Sequence, residues 1–310
     1  MLHSLLRRSR ALWNNRQWRR LILVGTVAAS AGVLLLGLIR GWPELARYQW
    51  QFDWRPLAVS GLMYMVALWL AVLAWTVIMR ALQADSNWRQ DAKFCLYSLI
   101  ARRLPTPAPY IASRILLYEE IGVPKRITSV GLLWENLLLI ASGAVQALLM
   151  LSLTPIIGDR TTFLPVLLVA GAGLLLVVRP MLPVRGVNWL LRRMGKAPLE
   201  IFMRSPIVLL VLAIYAGVWL FGGLVLFFLI RAIYPIEWTT LPFVIQAWTL
   251  SGLASYIAFF APTSLGIREL TLAAMLSLVI PLSVAIVIVI LIRLWLMGNE
   301  LLWALIFYRL

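Results

Sequence analysis

Histidine, cysteine and acidic residues are scarce in this chain of 310 residues, which has one His, one Cys and 12 Asp plus Glu. A lone cysteine, Cys95, excludes an internal disulfide and with it a disulfide-stapled secreted scaffold. The lone histidine, His3, lies in a basic tail and leaves no histidine for an acid–base or metal centre elsewhere. Asp53, Asp85, Asp91 and Asp159 are expected at scattered loop positions, without metal-ligand spacing or paired carboxylates. No glycine-rich phosphate loop follows a strand, and no Ser/His/Asp set can be assembled. These absences disfavour an enzyme, and no metal or cofactor is expected. An intramembrane transferase would need two acids, such as Glu135 and Glu269, converging on one cavity.

Charge is the next shortage. Only 13% of the residues are charged and 62% are hydrophobic, against about a quarter and about half in soluble domains. The stretches 21–39, 57–79, 161–178 and 206–230 contain no Asp, Glu, Lys or Arg. Each is long enough to cross roughly 30 Å of hydrocarbon as a helix. The expected class is therefore all-α: a polytopic transmembrane helical bundle with about six full spans. It comprises a basic N-terminal segment (1–20) and one integral membrane domain (21–310). The N-terminus resembles a signal peptide only in outline. Its apolar run is 19 residues long and holds Ala28-Ala29-Ser30 inside it, so an uncleaved first span is expected.

The net charge of +16 reads as topology rather than as a nucleic-acid footprint. Residues 1–20 carry six Arg and no acid, 80–126 carry eight basic and four acidic residues, and 179–205 carry six basic and one acidic. Segments 151–160 and 231–242 balance one Arg against one acid. Short basic loops stay in the cytoplasm, so alternate connections fall on one side and both termini are expected in the cytoplasm of a cell-membrane (inner-membrane) protein. Trp42, Trp50 and Trp54 suit an outer interface belt.

Two stretches are broken rather than continuous. Residues 91–122 are interrupted at Pro105-Thr106-Pro107-Ala108-Pro109, and 243–280 at Pro262-Thr263-Ser264-Leu265-Gly266. Proline and glycine end helices, so each stretch reads as two short helices, either a re-entrant hairpin or an ordinary bent pair. The order of span, span, broken hairpin and span occurs twice, giving inverted halves of about 21–150 and 161–310. Inverted repeats with discontinuous helices mark many transporters. The expected hairpin tips are Pro107, Pro109, Pro262, Thr263, Ser264 and Gly266.

Charge inside such a bundle is costly, by about 2.5–3.5 kcal/mol per residue on insertion scales, and tends to be functional. The candidates are Arg114, Glu135, Arg268, Glu269, Arg293 and Glu300. Arg268 and Glu269 follow Gly266 where a helix would begin, and a helix N-terminus favours anions. A guanidinium adds a planar fork of donors for phosphate. Arg114 and Arg268 are thus expected to engage a lipid headgroup, with Glu135, Glu269 and Arg293 as a switching charge network. The plainer alternative is that these residues neutralise one another structurally.

Phe260-Ala261-Pro262-Thr263-Ser264-Leu265-Gly266-Ile267-Arg268-Glu269 resembles the Pro-x-x-x-Gly-x-Arg-Glu signature of the membrane domain of lysylphosphatidylglycerol synthase/flippase proteins. Arg293 in the last span, and Pro109 through Arg114, Gly122 and Glu135 in the first half, are similar to further parts of that pattern. No acidic residue stands just before Arg114, where Ile111-Ala112-Ser113 occur. The resemblance implies a stand-alone lipid-translocating module, since 310 residues leave no room for the soluble aminoacyl-transferase domain. The expected partners are anionic or polyprenyl-linked membrane lipids, and a second copy or a lipid-synthesis enzyme. The alternative function is a non-transporting accessory or scaffold for lipid or envelope-glycan synthesis.

Overall fold

The computed structural model describes residues 52–101, 108–153, 178–193, 203–257 and 266–308, with isolated positions at 32–46, 167–175, 195 and 198. Every regular element among the described residues is helical. In chain order they are α1 (Trp54–Ala81), α2 (Trp88–Ala101), α3 (Ala108–Glu120), α4 (Lys125–Leu153), α5 (Met181–Arg193), α6 (Ser205–Ile233), α7 (Leu241–Ile257), α8 (Ile267–Leu276) and α9 (Leu282–Tyr308).

Four of these, α1, α4, α6 and α9, are long and apolar enough to cross a membrane. At 1.5 Å per residue each is roughly 40 Å long, more than the hydrocarbon core requires. Leu62, Leu149, Leu209 and Leu294 are exposed on them, as lipid-facing side chains would be. Together these features suggest a membrane protein. The expected spans at 21–39 and 161–178 lie largely outside the described residues.

The chain forms two compact units, one made of residues 50–250 with 292–310 and the other of 1–49 with 251–291. In the first, α1 and α6 make the most extensive helix pair. They run antiparallel: Asp53 N–H, at the head of α1, donates to the carbonyl of Ala232 near the tail of α6 at 2.9 Å. The other end of the pair is closed by Ile78, Leu82, Val130, Val184, Met203 and Val208, buried in one apolar cluster. That cluster joins the tail of α1 to the heads of α4 and α6. The basic segments therefore collect at one end of the unit: Arg80, Lys125, Arg126, Arg185 and Arg204 flank these helix termini. Asp53, Arg231 and Glu237 flank the opposite end.

Helix starts follow local chemistry. The Asp53 carboxylate accepts from Arg55 N–H at 2.9 Å and caps α1. Asn87 and Gln90 cap α2 reciprocally, each side-chain amide oxygen accepting the other's backbone N–H at 2.9–3.0 Å. This cap starts α2 ahead of the apolar run. Asp91 therefore falls in its first turn, fully buried, and not in a loop as the sequence predicts. The basic stretch 179–205, expected as a loop, likewise contains a helix, α5.

Helices α6 and α7 cross at Gly222 and Gly223. A Cβ on Gly223 would lie 2.8 Å from Ile245 Cα, and one on Gly222 would lie 2.3 Å from Trp248 Nε1. The Gly223 contact is with backbone and cannot be relieved by a rotamer change. Gly223→Ala is expected to lower stability by about 1–3 kcal/mol through overpacking. Gly298→Ala, where nothing lies within 4 Å, should leave the melting temperature unchanged or raise it slightly through helix propensity. Thermal unfolding of the detergent-solubilised variants checks both.

Candidate functional site

Helices α2 and α3 form a broken hairpin, about 21 and 20 Å long, each too short to span alone. The hairpin lies along α1. Leu68, Val72, Trp75 and Met79 of α1 share one buried cluster with Phe94, Cys95 and Leu96 of α2, Tyr110 and Tyr118 of α3, and Leu132 of α4. From Met79 back to Leu68 is roughly 16 Å of helix, so the hairpin packs well up the side of a span-length helix. Tyr110, Arg114 and Tyr118 recur at four-residue steps and are the buried face of α3. Asp91, Cys95 and Ser98 form a matching stripe on α2.

Arg114 is the centre of the packing. It is 2% exposed and among the largest fully buried side chains. Its Nη1 donates to Glu135 Oε2 of α4 at 2.8 Å, its Nε to Ser98 Oγ at 3.1 Å, and its Nη2 to Cys95 Sγ at 3.3 Å. The guanidinium carbon lies 4.1 Å from the centroid of the Trp75 ring and 5.1 Å from that of Tyr110. Desolvated cation–π contacts of this kind contribute up to about 2 kcal/mol. Tyr110 Oη also donates to Glu135 Oε2, at 2.8 Å. A buried ion pair offsets its desolvation only when further hydrogen bonds complete it, and here both partners have them.

A second relay adjoins the first. Trp75 Nε1 donates to Tyr118 Oη at 2.6 Å, and Tyr118 Oη donates to Asp91 Oδ1. Phe94 packs edge-on against Tyr118 at 4.9 Å between centroids. Trp75 therefore serves both groups, as a lid over the guanidinium and as a donor toward the buried aspartate. Four helices contribute to one polar cluster inside an apolar wall.

The structure brings Arg114 and Glu135 together. Arg268 and Glu269 occupy the first turn of α8, both half-buried. Gly266 precedes them at φ 91°, in the left-handed region where a side chain would be strained. Glu269 in that turn complements the positive helix end. Arg293 is exposed on α9. Glu300, also on α9, is buried and accepts a hydrogen bond from Tyr64 Oη of α1 at 3.1 Å. Pro109 lies in the first turn of α3, where its missing N–H is harmless. The other expected tips, Pro107, Pro262, Thr263 and Ser264, lie outside the described residues. Trp75, Asp91, Cys95, Ser98, Tyr110 and Tyr118 were not anticipated as members of the cluster. The four-residue stripe Tyr110, Arg114, Tyr118 was the available signal.

No family model, curated protein or solved structure matches the chain.

Proposed function

We propose that the protein is a membrane-embedded lipid translocator that handles an anionic phospholipid or polyprenyl-linked headgroup. The observation that carries this reading is the Arg114–Glu135 ion pair, 2.8 Å long, held in a broken hairpin beside a span-length helix. A phosphate offers the guanidinium fork the same bidentate chemistry as a carboxylate, so an incoming headgroup can exchange with Glu135. Arg268, followed by Glu269 at the start of α8 behind Gly266, is the second half's counterpart, and in this reading Arg268, Glu269 and Arg293 also take part in headgroup handling.

Two features of the fold support an inverted repeat. Long, short, short and long helices follow one another twice, as α1–α4 and then α6–α9, and α1 and α6 run in opposite directions. In this reading the end rich in basic residues faces the cytoplasm of a cell membrane, with both termini on that side. The resemblance to the lysylphosphatidylglycerol synthase/flippase membrane domain points the same way.

One observation favours the second reading, a non-transporting accessory of lipid or envelope-glycan synthesis. Arg114 is fully occupied by Glu135, Ser98, Cys95 and Trp75, and a permanently closed pair needs no ligand. Proteoliposomes containing a fluorescent phosphatidylglycerol, with dithionite bleaching of the outer leaflet, separate the two. The native protein is expected to expose the inner-leaflet label. Arg114→Lys keeps the positive charge but loses the planar fork, and should slow exposure by roughly tenfold, about 1.4 kcal/mol. Unchanged rates in both Arg114→Lys and Arg268→Gln would refute the translocator assignment. No movement with the folded native protein selects the accessory.

A further inference from the structure

A second polar–apolar site lies at the basic end of the first unit, away from the Arg114 cluster. The segment leading into α5, α5 itself and the head of α6 enclose a cavity of about 650 Å³. This is within the roughly 300–1,000 Å³ of ordinary ligand pockets. Its walls are largely apolar and include Leu175, Leu182 and Met203, and among the described residues its charged lining is Arg179, Arg185 and Arg204. Among the described residues no acidic one lines it. Met203 is fully buried at its base, whereas Leu175 and Leu182 are 50% and 39% exposed. The site stands where the span-length helix α6 begins, with Ser205 in its lining.

We infer that this cavity binds one anionic phospholipid from the leaflet on the basic side, with the phosphate against Arg179, Arg185 and Arg204 and acyl chain along the apolar wall. A soluble anion would use the arginines but leave the Leu and Met surface uncovered. An uncharged lipid would cover that surface and leave three cations without a counter-charge. Only an amphiphile with a phosphate at one end satisfies both. Helix α5 fits such an interface. Trp189 is 56% exposed, and the Arg193 guanidinium stacks 4.0 Å from its ring centroid. Basic helices with an exposed aromatic residue lie at the headgroup boundary.

Native mass spectrometry of the full chain, delipidated in detergent and offered phosphatidylglycerol or phosphatidylcholine, tests the inference. Phosphatidylglycerol is expected to be retained preferentially. The combined variant Arg179→Gln, Arg185→Gln and Arg204→Gln should lose that preference by roughly 100-fold, at about fivefold per arginine near the surface. Arg192→Gln, outside the cavity lining, serves as the control and should change it little. Arg185→Glu alone, exposed and on the surface of α5, should act in the same direction if the combined variant misfolds. Equal retention of the two lipids by the native protein, or a preference that survives both sets of substitutions, overturns the proposal. So does full competition by inorganic phosphate, which would make this a plain anion site. A second copy or a bound peptide in place of lipid in the spectra would overturn it as well. Because the readout is binding, the result stands apart from whether lipid is translocated.

Discussion

Replacing Glu135 by alanine is expected to destabilise the protein by about 3–5 kcal/mol, the range seen when one partner of a buried pair is removed. The lost carboxylate leaves the Arg114 guanidinium, 2% exposed, without its counter-charge. It also strips Tyr110 Oη of its acceptor. The penalty comes from the group left behind more than from the bond removed. Removing both charges should therefore do less harm than removing one. The pair Arg114→Met with Glu135→Leu is expected to unfold near the native midpoint, since apolar replacements of buried ion pairs are often neutral. Chemical unfolding of the reconstituted protein measures both. The translocator reading adds that the double variant, although stable, moves no lipid. A Glu135→Ala protein as stable as the native one would show that the pair does not lock the hairpin.

Trp75→Ala should be comparably severe, about 3–5 kcal/mol for a large aromatic removed from a packed interior. Trp75 has no exposed surface. It contacts the Arg114 face at 4.1 Å and donates to Tyr118 at 2.6 Å, so its loss opens a cavity between α1 and the hairpin. Trp75→Phe keeps much of the volume and a ring over the guanidinium. It gives up the indole N–H bond and is expected to lose only about 1 kcal/mol. The contrast between the two, read from unfolding midpoints, separates packing from hydrogen bonding. Equal losses in both would mean that the Trp75–Tyr118 bond dominates.

The long helices were legible because absence of charge is a local signal with sharp edges. The runs 57–79 and 206–230 sit inside α1 (Trp54–Ala81) and α6 (Ser205–Ile233), and the flanking Arg55, Arg80, Arg204 and Arg231 mark where they enter polar surroundings. Helix α5 was not legible. Arg185, Arg192 and Arg193 dilute its apolar residues, and its one-sided pattern resembles a charged loop when only charge is counted. The pairing of Arg114 with Glu135 was harder still. Each residue stood out as charge in an apolar context, but partner choice depends on how two long helices and a hairpin meet. Trp75 carried no warning at all, because a tryptophan within a charge-free run is ordinary. Asp91 was misplaced for a nearer reason. The reciprocal cap of Asn87 and Gln90 starts the helix a few residues ahead of the hydrophobic stretch, and periodicity alone does not see caps.

The ion pair also sets an order of events during synthesis. Arg114 precedes Glu135 by 21 residues, so it emerges from the ribosome before its counter-ion does. The hairpin's two helices are too short to be handed to the bilayer one at a time as spans. Until α4 follows, the Arg114 guanidinium has no Glu135 to pair with, and an unpaired charge in hydrocarbon is costly. The connection that joins the hairpin to α4 is itself part of the lock: Val123 is buried and its N–H donates to the Tyr118 carbonyl at 3.0 Å, and Lys125 pairs with Glu119 at 2.9 Å.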